Sequence, residues 1–204
     1  MKLLKNLCFA VIATYCSSVS AQSEDAKQAL QSQLAQLESF SAQFVQTVTD
    51  INGELVHEAE GVITLQRPNQ LHWHTTFPDE ILLVADGESV WQVDYFVEQV
   101  TVVDQSSAIE NNPMMLITSD NTADWQNFGI SQNGEEFLIQ ALTQGPIAQL
   151  SLTFTDGVLS QLRSVDAQQQ TSQLVFSEQQ VNPAIMTGQF QTQLPDGFVL
   201  DDQR

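Results

Sequence analysis

Hydrophobic positions along the chain follow two different periods, and the change falls near residue 40. Between residues 24 and 37, apolar side chains recur at spacings of four, four and three, which predicts one amphipathic helix. These side chains are Ala26, Leu30, Leu34 and Leu37. Phe40 and Phe44 continue the spacing of four, but β-branched residues follow in 47–51. The helix is therefore expected to give way to a strand between the two phenylalanines.

Short runs that favour strands, separated by turn signals, fill most of the remaining chain. The first set covers 54–66, 70–77, 80–85, 89–94 and 98–103, and the second covers 136–142, 149–155, 158–165, 172–177 and 187–193. The dipeptide Asp156-Gly157 between two such runs is typical of a tight hairpin. Strands at this spacing, without helices between them, predict an antiparallel sheet that is curled or closed.

Residues 104–132 interrupt the strands. Asn112 is a good helix cap and Pro113 suits a first helical turn, so a short apolar helix is predicted to run from here to Thr118. A segment this apolar needs a surface to cover. No long linker separates the two strand sets, and a single domain of residues 22–204 is expected.

The first 21 residues have the three-part layout of a secretory signal peptide. Lys2 and Lys5 precede an apolar run, and small residues end at Ala21, after which cleavage is expected. A membrane anchor would need about 20 apolar residues. Lipid attachment at Cys16 is disfavoured by the bulky Tyr15 before it. The layout is typical of bacteria and predicts a soluble protein of the periplasm.

Composition and charge exclude several classes of partner. The 204 residues include 6 Lys and Arg against 25 Asp and Glu, a formal net charge of −19. Nucleic acids and anionic lipid surfaces bind clustered basic residues, so neither is an expected partner. Both cysteines lie in the predicted signal peptide, so no disulfide and no thiolate metal site is expected after cleavage. The basic residues that remain are Lys27, Arg67, Arg163 and Arg204.

No motif in the chain indicates catalysis. A zinc-protease motif begins at His57 but lacks its second histidine, and the many scattered carboxylates identify no acid–base pair. His72 and His74 share one face of a predicted strand and could reach one metal ion, but two ligands make a weak site. Alternatively, His72 and His74 are two exposed strand residues on either side of an inward Trp73 and have no metal-binding role. Neither enzyme activity, a metal nor a cofactor is expected.

Arg67 ends a predicted strand and admits two interpretations. A guanidinium has five N–H donors and can hold several backbone carbonyls at once, such as those that end a lid helix. Alternatively, Arg67 forms an ordinary surface ion pair with one of the many acids. Composition alone favours the ion pair.

Several predicted strands are apolar on both faces, among them 81–84, 100–103 and 137–139. One face can pack on helices, and the other needs a partner or a ligand. Met114 and Met115 are adaptable side chains of the kind found where a surface fits varied ligands. A well-filled core is the alternative.

An ordered set of motifs runs through residues 39–204. The most specific stretch is 67–80, with Arg67-Pro68-Asn69, Trp73-His74 and Pro78-Asp79-Glu80. The others are Ser39-Phe40, Phe44-Val45-Gln46, Asp86-Gly87, Val90-Trp91, Phe96-Val97-Glu98-Gln99, Met115-Leu116-Ile117, Asp124-Trp125 and Asp201-Asp202-Gln203-Arg204. In this order the motifs resemble the LolA family, the periplasmic carriers of outer-membrane lipoproteins.

The resemblance implies a fold and a mode of action. The implied fold is mainly β (α+β), an incomplete, strongly curved antiparallel barrel that a lid of short α-helices closes around an apolar cavity. The cavity would hold the acyl chains of triacylated lipoproteins. A monomeric chaperone would take them from an inner-membrane lipoprotein-releasing ABC transporter and deliver them to an outer-membrane lipoprotein receptor.

The resemblance also assigns roles to single residues. Arg67 stands at the family's lid-latching arginine, which reverses the preference for an ion pair. The residues expected at the cavity and the lid are Leu71, Trp73, Leu83, Trp91, Phe96, Met114, Met115, Leu116 and Ile117. Leu71 and 112–114 depart from the family pattern, in which an aromatic residue and Pro-Phe-Met are usual.

Two other functions stay open. A related lipid-binding envelope module, either a stress sensor or a receptor, would need a second domain or a lipidated N-terminal cysteine, and the mature chain supplies neither. An envelope hydrolase would need a clustered nucleophile or metal set, and the sequence supplies none.

Overall fold

Strands dominate the structure, as the sequence pattern predicts. The computed structural model describes residues 18–106, 116–142 and 147–204. The elements that lie wholly within them are one α-helix, α1 (Ser18–Ala35), twelve strands and a 3-10 helix at Thr122–Trp125, and residues 105–106 and 116–117 are also helical. In chain order the strands are β1 (Ser39–Thr49), β2 (Leu55–Gln66), β3 (Gln70–Phe77), β4 (Ile81–Ala85), β5 (Ser89–Asp94), β6 (Gln99–Asp104), β7 (Phe128–Asn133), β8 (Glu136–Ala141), β9 (Ile147–Thr155), β10 (Val158–Asp166), β11 (Thr171–Val181) and β12 (Val199–Asp202).

All twelve strands form one sheet. Its order is β12-β6-β5-β4-β3-β2-β1-β11-β10-β9-β8-β7, and neighbours are antiparallel except for β12, which runs parallel to β6. β1 joins the two halves because it pairs with β2 on one side and β11 on the other. The prediction of a mainly β, curved antiparallel sheet is confirmed. The lid of several short helices and the apolar cavity are not shown by the described residues.

The concave side of the sheet holds the main hydrophobic core. Leu30 and Leu34 of α1 are fully buried there, and they join inward side chains from both halves of the sheet, including Phe44 of β1 and Phe137 of β8. Cleavage after Ala21 would retain the buried side chains of Ala26, Leu30 and Leu34. The helix therefore packs against the inner face of the sheet.

A smaller cluster lies on the opposite, outer face of β4–β6. Val93, Val100 and Val102 are buried, and Leu82, Trp91 and Phe198 pack on them. Phe198 comes from the chain that leads into β12. The second apolar face of these strands is therefore covered by the C-terminal segment.

The predicted elements differ from the structure in several places. The strand begins at Ser39, so the predicted change of structure between Phe40 and Phe44 is too late. The predicted strand at 187–193 is wrong, since the chain there forms turns around the buried Phe190. β7 and β12 were not predicted. The long separation in sequence between β12 and β6 explains the last omission, because no local signal marks a partner about a hundred residues away.

Alternate turns lie at opposite ends of the sheet because neighbouring strands are antiparallel. The turns 67–69 and 86–88 lie at one end, here called the Arg67 end. The turns 50–54, 78–80 and 95–98 lie at the other, here called the far end, where β12 also begins beside Gln99. Among the described residues, no helix is long and apolar enough to span a membrane.

Candidate functional site

A tight turn between β2 and β3 presents Arg67 toward the segment 116–119. The backbone N–H of Arg67 donates to the Glu38 carbonyl (2.9 Å), which ties the turn to the entry of β1. Asn69 has a φ of 61°, a left-handed conformation that asparagine tolerates better than most residues. These backbone features fix the shape of the turn without the Arg67 side chain.

Three consecutive carbonyls of the facing segment accept hydrogen bonds from this turn. Arg67 donates from Nη1 to the Ile117 carbonyl (2.6 Å) and from Nη2 to the Ser119 carbonyl (2.8 Å). The backbone N–H of Asn69 donates to the Thr118 carbonyl between them (3.0 Å). We call these three hydrogen bonds the clasp.

The segment held by the clasp is buried along its length. Leu116 to Ser119 are each at most 4% exposed. The Ser119 hydroxyl accepts from the Asn121 N–H (3.1 Å) and donates to the Asp124 carboxylate, which connects the segment to the 3-10 helix that carries the buried Trp125. Displacing the segment would therefore uncover apolar side chains and also break the clasp.

The Arg67 guanidinium is half-buried. Its burial lowers the pKa of Arg67, and attraction to the Asp120 carboxylate opposes that change. The Lys or Arg ion pair among the described residues joins Arg204 to Asp202, so the ion pair considered for Arg67 is not found there. The positive charge of the Arg67 guanidinium is directed at backbone carbonyls, which carry partial negative charge.

Gln105 supports the clasp from behind. Its side chain is 4% exposed and donates from Nε2 to the Asn69 carbonyl (2.7 Å), while its Oε1 accepts from the Gly87 N–H (3.0 Å). Both peptide groups flanking Asn69 are thus hydrogen-bonded, one to Thr118 and one to Gln105. Sequence reasoning missed Gln105, because nothing in the sequence separates it from the many other glutamines.

Five of the predicted cavity and lid residues meet in the interior beside the clasp. Leu71 is 4% exposed, and Trp73 and Leu83 are partly buried against the same core that contains Leu116 and Ile117. The Trp73 ring lies 4.7 Å from the Phe44 ring, centroid to centroid. This interior is packed with the chain's own side chains.

Sequence comparison places the chain in a known family. The family model described as outer membrane lipoprotein carrier protein LolA matches residues 35–193. The chain belongs to the LolA family. Outer-membrane lipoprotein carrier proteins of Idiomarina loihiensis and Proteus mirabilis are each 36% identical, over 98% of this chain and their own full length. That of Serratia proteamaculans is 40% identical over 88% of this chain and 89% of its own.

Two solved structures share the fold of this chain at low sequence identity. An uncharacterized conserved protein from Thermus thermophilus aligns with a TM-score of 0.54 and 11% identity, over 87% of this chain and 99% of the other. A DUF1329 family protein from Desulfovibrio piger aligns with a TM-score of 0.52 and 9% identity, over 84% and 96% of the two chains. These similarities support the fold alone.

Two further predicted site residues of this LolA-family chain, Trp91 and Phe96, do not point to the interior. Trp91 points to the outer face, where its Nε1 donates to the Asp86 carboxylate (3.0 Å) and the Arg204 guanidinium lies 5.6 Å from its ring. Phe96 lies in the turn after β5 and is 79% exposed. Met114 and Met115 lie outside the described residues. Alternation along β5 could have placed Trp91 correctly, since its neighbour Val90 joins the interior core.

His72 and His74 lie on the face opposite Trp73. Their ring centroids are 6.3 Å apart, and His74 is hydrogen-bonded to Glu80 (2.9 Å). Burial, followed by the neighbouring His74, lowers the pKa of His72. Within the described residues, no group of three or more His, Cys, Asp or Glu could hold a metal ion.

An open cleft of about 600 Å³ lies at the Arg67 end, outside the packed interior. Its walls come from 182–191 and from polar side chains near the clasp, including Glu38, Gln66 and Asp86. With amide and carboxylate groups on one side, this cleft does not have the character expected of an acyl-chain cavity.

Proposed function

We propose that this LolA-family chain is a periplasmic chaperone that carries triacylated lipoproteins by covering their acyl chains. The names of its relatives support the cargo class. The single observation that carries the mechanism is the clasp, in which Arg67 and Asn69 hold 117–119 over an apolar interior. Leu71, Trp73 and Leu83 are the proposed acyl-chain contacts in the interior, and Leu116 and Ile117 are the proposed contacts on the segment that opens.

The need for such a carrier follows from the hydrophobic effect. Burial of a methylene group is favourable by about 0.8 kcal/mol. Exposing one acyl chain of about 16 carbons to water therefore costs roughly 12 kcal/mol of free energy. Three chains exceed the net stability of a typical folded domain, which is about 5–15 kcal/mol. Transit through an aqueous compartment therefore requires an apolar cover.

Loading requires the segment 116–119 to leave the interior. That movement breaks the clasp, and hydrogen bonds to charged groups contribute about 1.5–3 kcal/mol each. It also removes Leu116 and Ile117 from the core. Acyl chains then replace the contacts that those two side chains made. The closed form is favoured by a few kcal/mol in the absence of cargo.

Delivery follows from the same balance. Closing the clasp after release recovers the free energy spent on opening, so a receptor with higher affinity can take the cargo without nucleotide hydrolysis by the carrier. The proposed donor is an inner-membrane lipoprotein-releasing ABC transporter and the proposed acceptor is an outer-membrane lipoprotein receptor. The chain acts as a monomer after removal of residues 1–21.

The Arg67→Leu variant tests the mechanism. We expect it to bind a fluorescent acyl-chain probe and to load a triacylated lipopeptide, because the apolar interior is retained. Delivery to the purified receptor should fall by about tenfold or more, since each 1.4 kcal/mol of lost driving force is worth a factor of ten. Fluorescence transfer to labelled receptor measures this.

Arg163→Leu is the matched control. Arg163 lies on β10, in the other half of the sheet, and contacts Thr171 through a weak hydrogen bond of 3.5 Å. Its replacement should leave delivery unchanged. Equal delivery by wild type and Arg67→Leu would refute the latch, whereas a wild-type protein that binds no acyl probe would refute the carrier function itself.

A further inference from the structure

Exposed apolar side chains collect along the far end of the β1–β6 half of the sheet. They lie in, or directly beside, the three turns at this end and at the start of β12, and each is more than half exposed. We call them the far rim: Ile51, Leu55, Val56, Phe77, Phe96, Val97 and Val199. The turns 67–69 and 86–88 at the Arg67 end of the same strands carry no large apolar residue.

Two of the far-end turns hold their apolar residues outward by the same device. In 50–54 the Asp50 Oδ1 accepts from the N–H groups of Asn52 (2.9 Å) and Glu54 (2.8 Å), and Ile51 between them is 71% exposed. In 94–97 the Asp94 Oδ1 accepts from the N–H groups of Phe96 (3.0 Å) and Val97 (3.1 Å). The exposed side chains are thus presented by ordered backbone, which lowers the entropic cost of an encounter.

The charged residues in the three segments that carry most of the far rim are all acidic. The segments 50–56, 77–80 and 94–99 contain Asp50, Glu54, Asp79, Glu80, Asp94 and Glu98, and no Lys or Arg. A second copy of this chain would bring acid against acid, and an anionic lipid surface would be repelled in the same way. An apolar centre with an acidic border instead complements a protein surface with an apolar centre and a basic border.

We propose that the far rim is a docking surface for a basic protein, the loading transporter of the proposed function. The clasped form has its interior filled by Leu116 and Ile117, so it is the form that has yet to receive cargo. The far rim is exposed in that form and is therefore available to the partner that loads it. The identity of the partner rests on the proposed carrier function. The location of the docking surface rests on the exposed apolar side chains and acidic residues of the far rim.

The test measures binding of the full mature chain to the purified transporter in detergent, by biolayer interferometry. The double variant Ile51→Ser, Phe96→Ser should bind about tenfold or more weakly, because exposed aromatic anchors contribute disproportionately to interfaces. The matched control is Met186→Ser, Leu194→Ser, at positions 74% and 45% exposed on the C-terminal segment, and it should bind within about twofold of wild type.

A charge variant gives an independent readout. Glu54→Lys, Glu98→Lys should weaken binding at 50 mM NaCl and lessen its salt dependence, since opposite charges at a docking border act mainly through long-range attraction. Both positions are exposed, so folding is retained and is verified by circular dichroism.

Three outcomes would overturn the far-rim proposal. One is transporter binding by the Ile51→Ser, Phe96→Ser variant equal to wild type. Another is binding of the wild type to phosphatidylglycerol vesicles that this variant loses. The third is a wild-type dimer in sedimentation that the variant abolishes. Acyl-probe binding is measured on the same proteins, so a failed carrier function is recognised separately from a failed docking surface.

Discussion

At the scale of single residues, the clasp depends on more than its arginine. Arg67 supplies two of the three hydrogen bonds, and the Asn69 backbone supplies the third. Asn69 can donate only while its turn keeps its left-handed conformation, and the Gln105 amide holds the carbonyl of that same residue. Gln105 therefore contributes to the strength of the clasp, although neither of its described hydrogen bonds reaches the segment 116–119.

Replacing Gln105 by leucine should loosen the turn. The Asn69 carbonyl and the Gly87 N–H would each lose a part-buried hydrogen-bond partner, and a hydrogen bond of this kind contributes about 0.5–1.5 kcal/mol. We expect Gln105→Leu to lower the free energy of unfolding by about 2 kcal/mol and to slow delivery to the receptor with probe binding retained. Urea denaturation and fluorescence transfer measure the two effects.

The control for this variant is Gln140→Leu, an exposed position on β8. It should leave both quantities within error of wild type. A Gln105→Leu protein with normal stability and normal delivery would show that the turn holds its shape without this amide.

The role of Arg67 could be predicted from the sequence and that of Gln105 could not, for a physical reason. Arginines are scarce in this chain, so a guanidinium before a turn stands out against the acidic background. A glutamine among many carries no such signal, and its role arises because it joins two turns that are brought together only by the sheet. Trp91 shows the same limit, since the orientation of a large aromatic residue depends on register and not on its type.

At the scale of elements, hairpin turns were predicted better than strand partners. Asp86-Gly87 and Asp156-Gly157 both lie in turns between paired strands, because their conformational preferences are local. The predicted end of the helix is too late because Phe40 and Phe44 are four residues apart. That spacing fits one face of a helix and also one face of a strand. The strand predicted at 187–193 failed because its only buried side chain is Phe190, which leaves no second strand face to pair.

The approach of β2 to β3 depends on Gly61. A Cβ at this position would lie 2.0 Å from the His74 carbonyl oxygen and 2.9 Å from the Phe44 ring. Gly61→Ala should therefore displace β3 and disturb the contact between the Phe44 and Trp73 rings, at a cost of about 2–4 kcal/mol in unfolding free energy. Chemical denaturation measures the loss, and Trp fluorescence reports the changed packing.

Gly129→Ala is the matched control for that substitution. The nearest atom to a Cβ there is the Leu142 side chain at 3.4 Å, and a side-chain end can move aside. A change below about 1 kcal/mol is expected for it. If both alanine variants were equally stable, close backbone approach would not be what the glycine at 61 provides.

At the scale of the whole molecule, the two ends of the sheet have separate tasks in the proposed mechanism. The Arg67 end carries the clasp, and the far end carries the exposed rim. Neither arrangement follows from composition, which sets only the acidic charge. Both follow from the antiparallel order, because it sends alternate turns to opposite ends. The family resemblance supplied the arginine, whereas the far rim became visible only with the pairing of the strands.

This separation predicts where loading is detected. When a triacylated lipopeptide enters, the segment 116–119 must leave, and the Asn69 N–H loses the Thr118 carbonyl as its acceptor. Amide hydrogen exchange at Asn69, followed by NMR, should accelerate on loading. The Asp50 N–H, which donates to the Glu54 carbonyl at the far end (2.9 Å), should exchange at an unchanged rate because its turn does not take part in opening. Acceleration at Asp50 alone would place the entrance for cargo at the far end, and slower exchange at Asn69 would mean that cargo binds with the clasp closed.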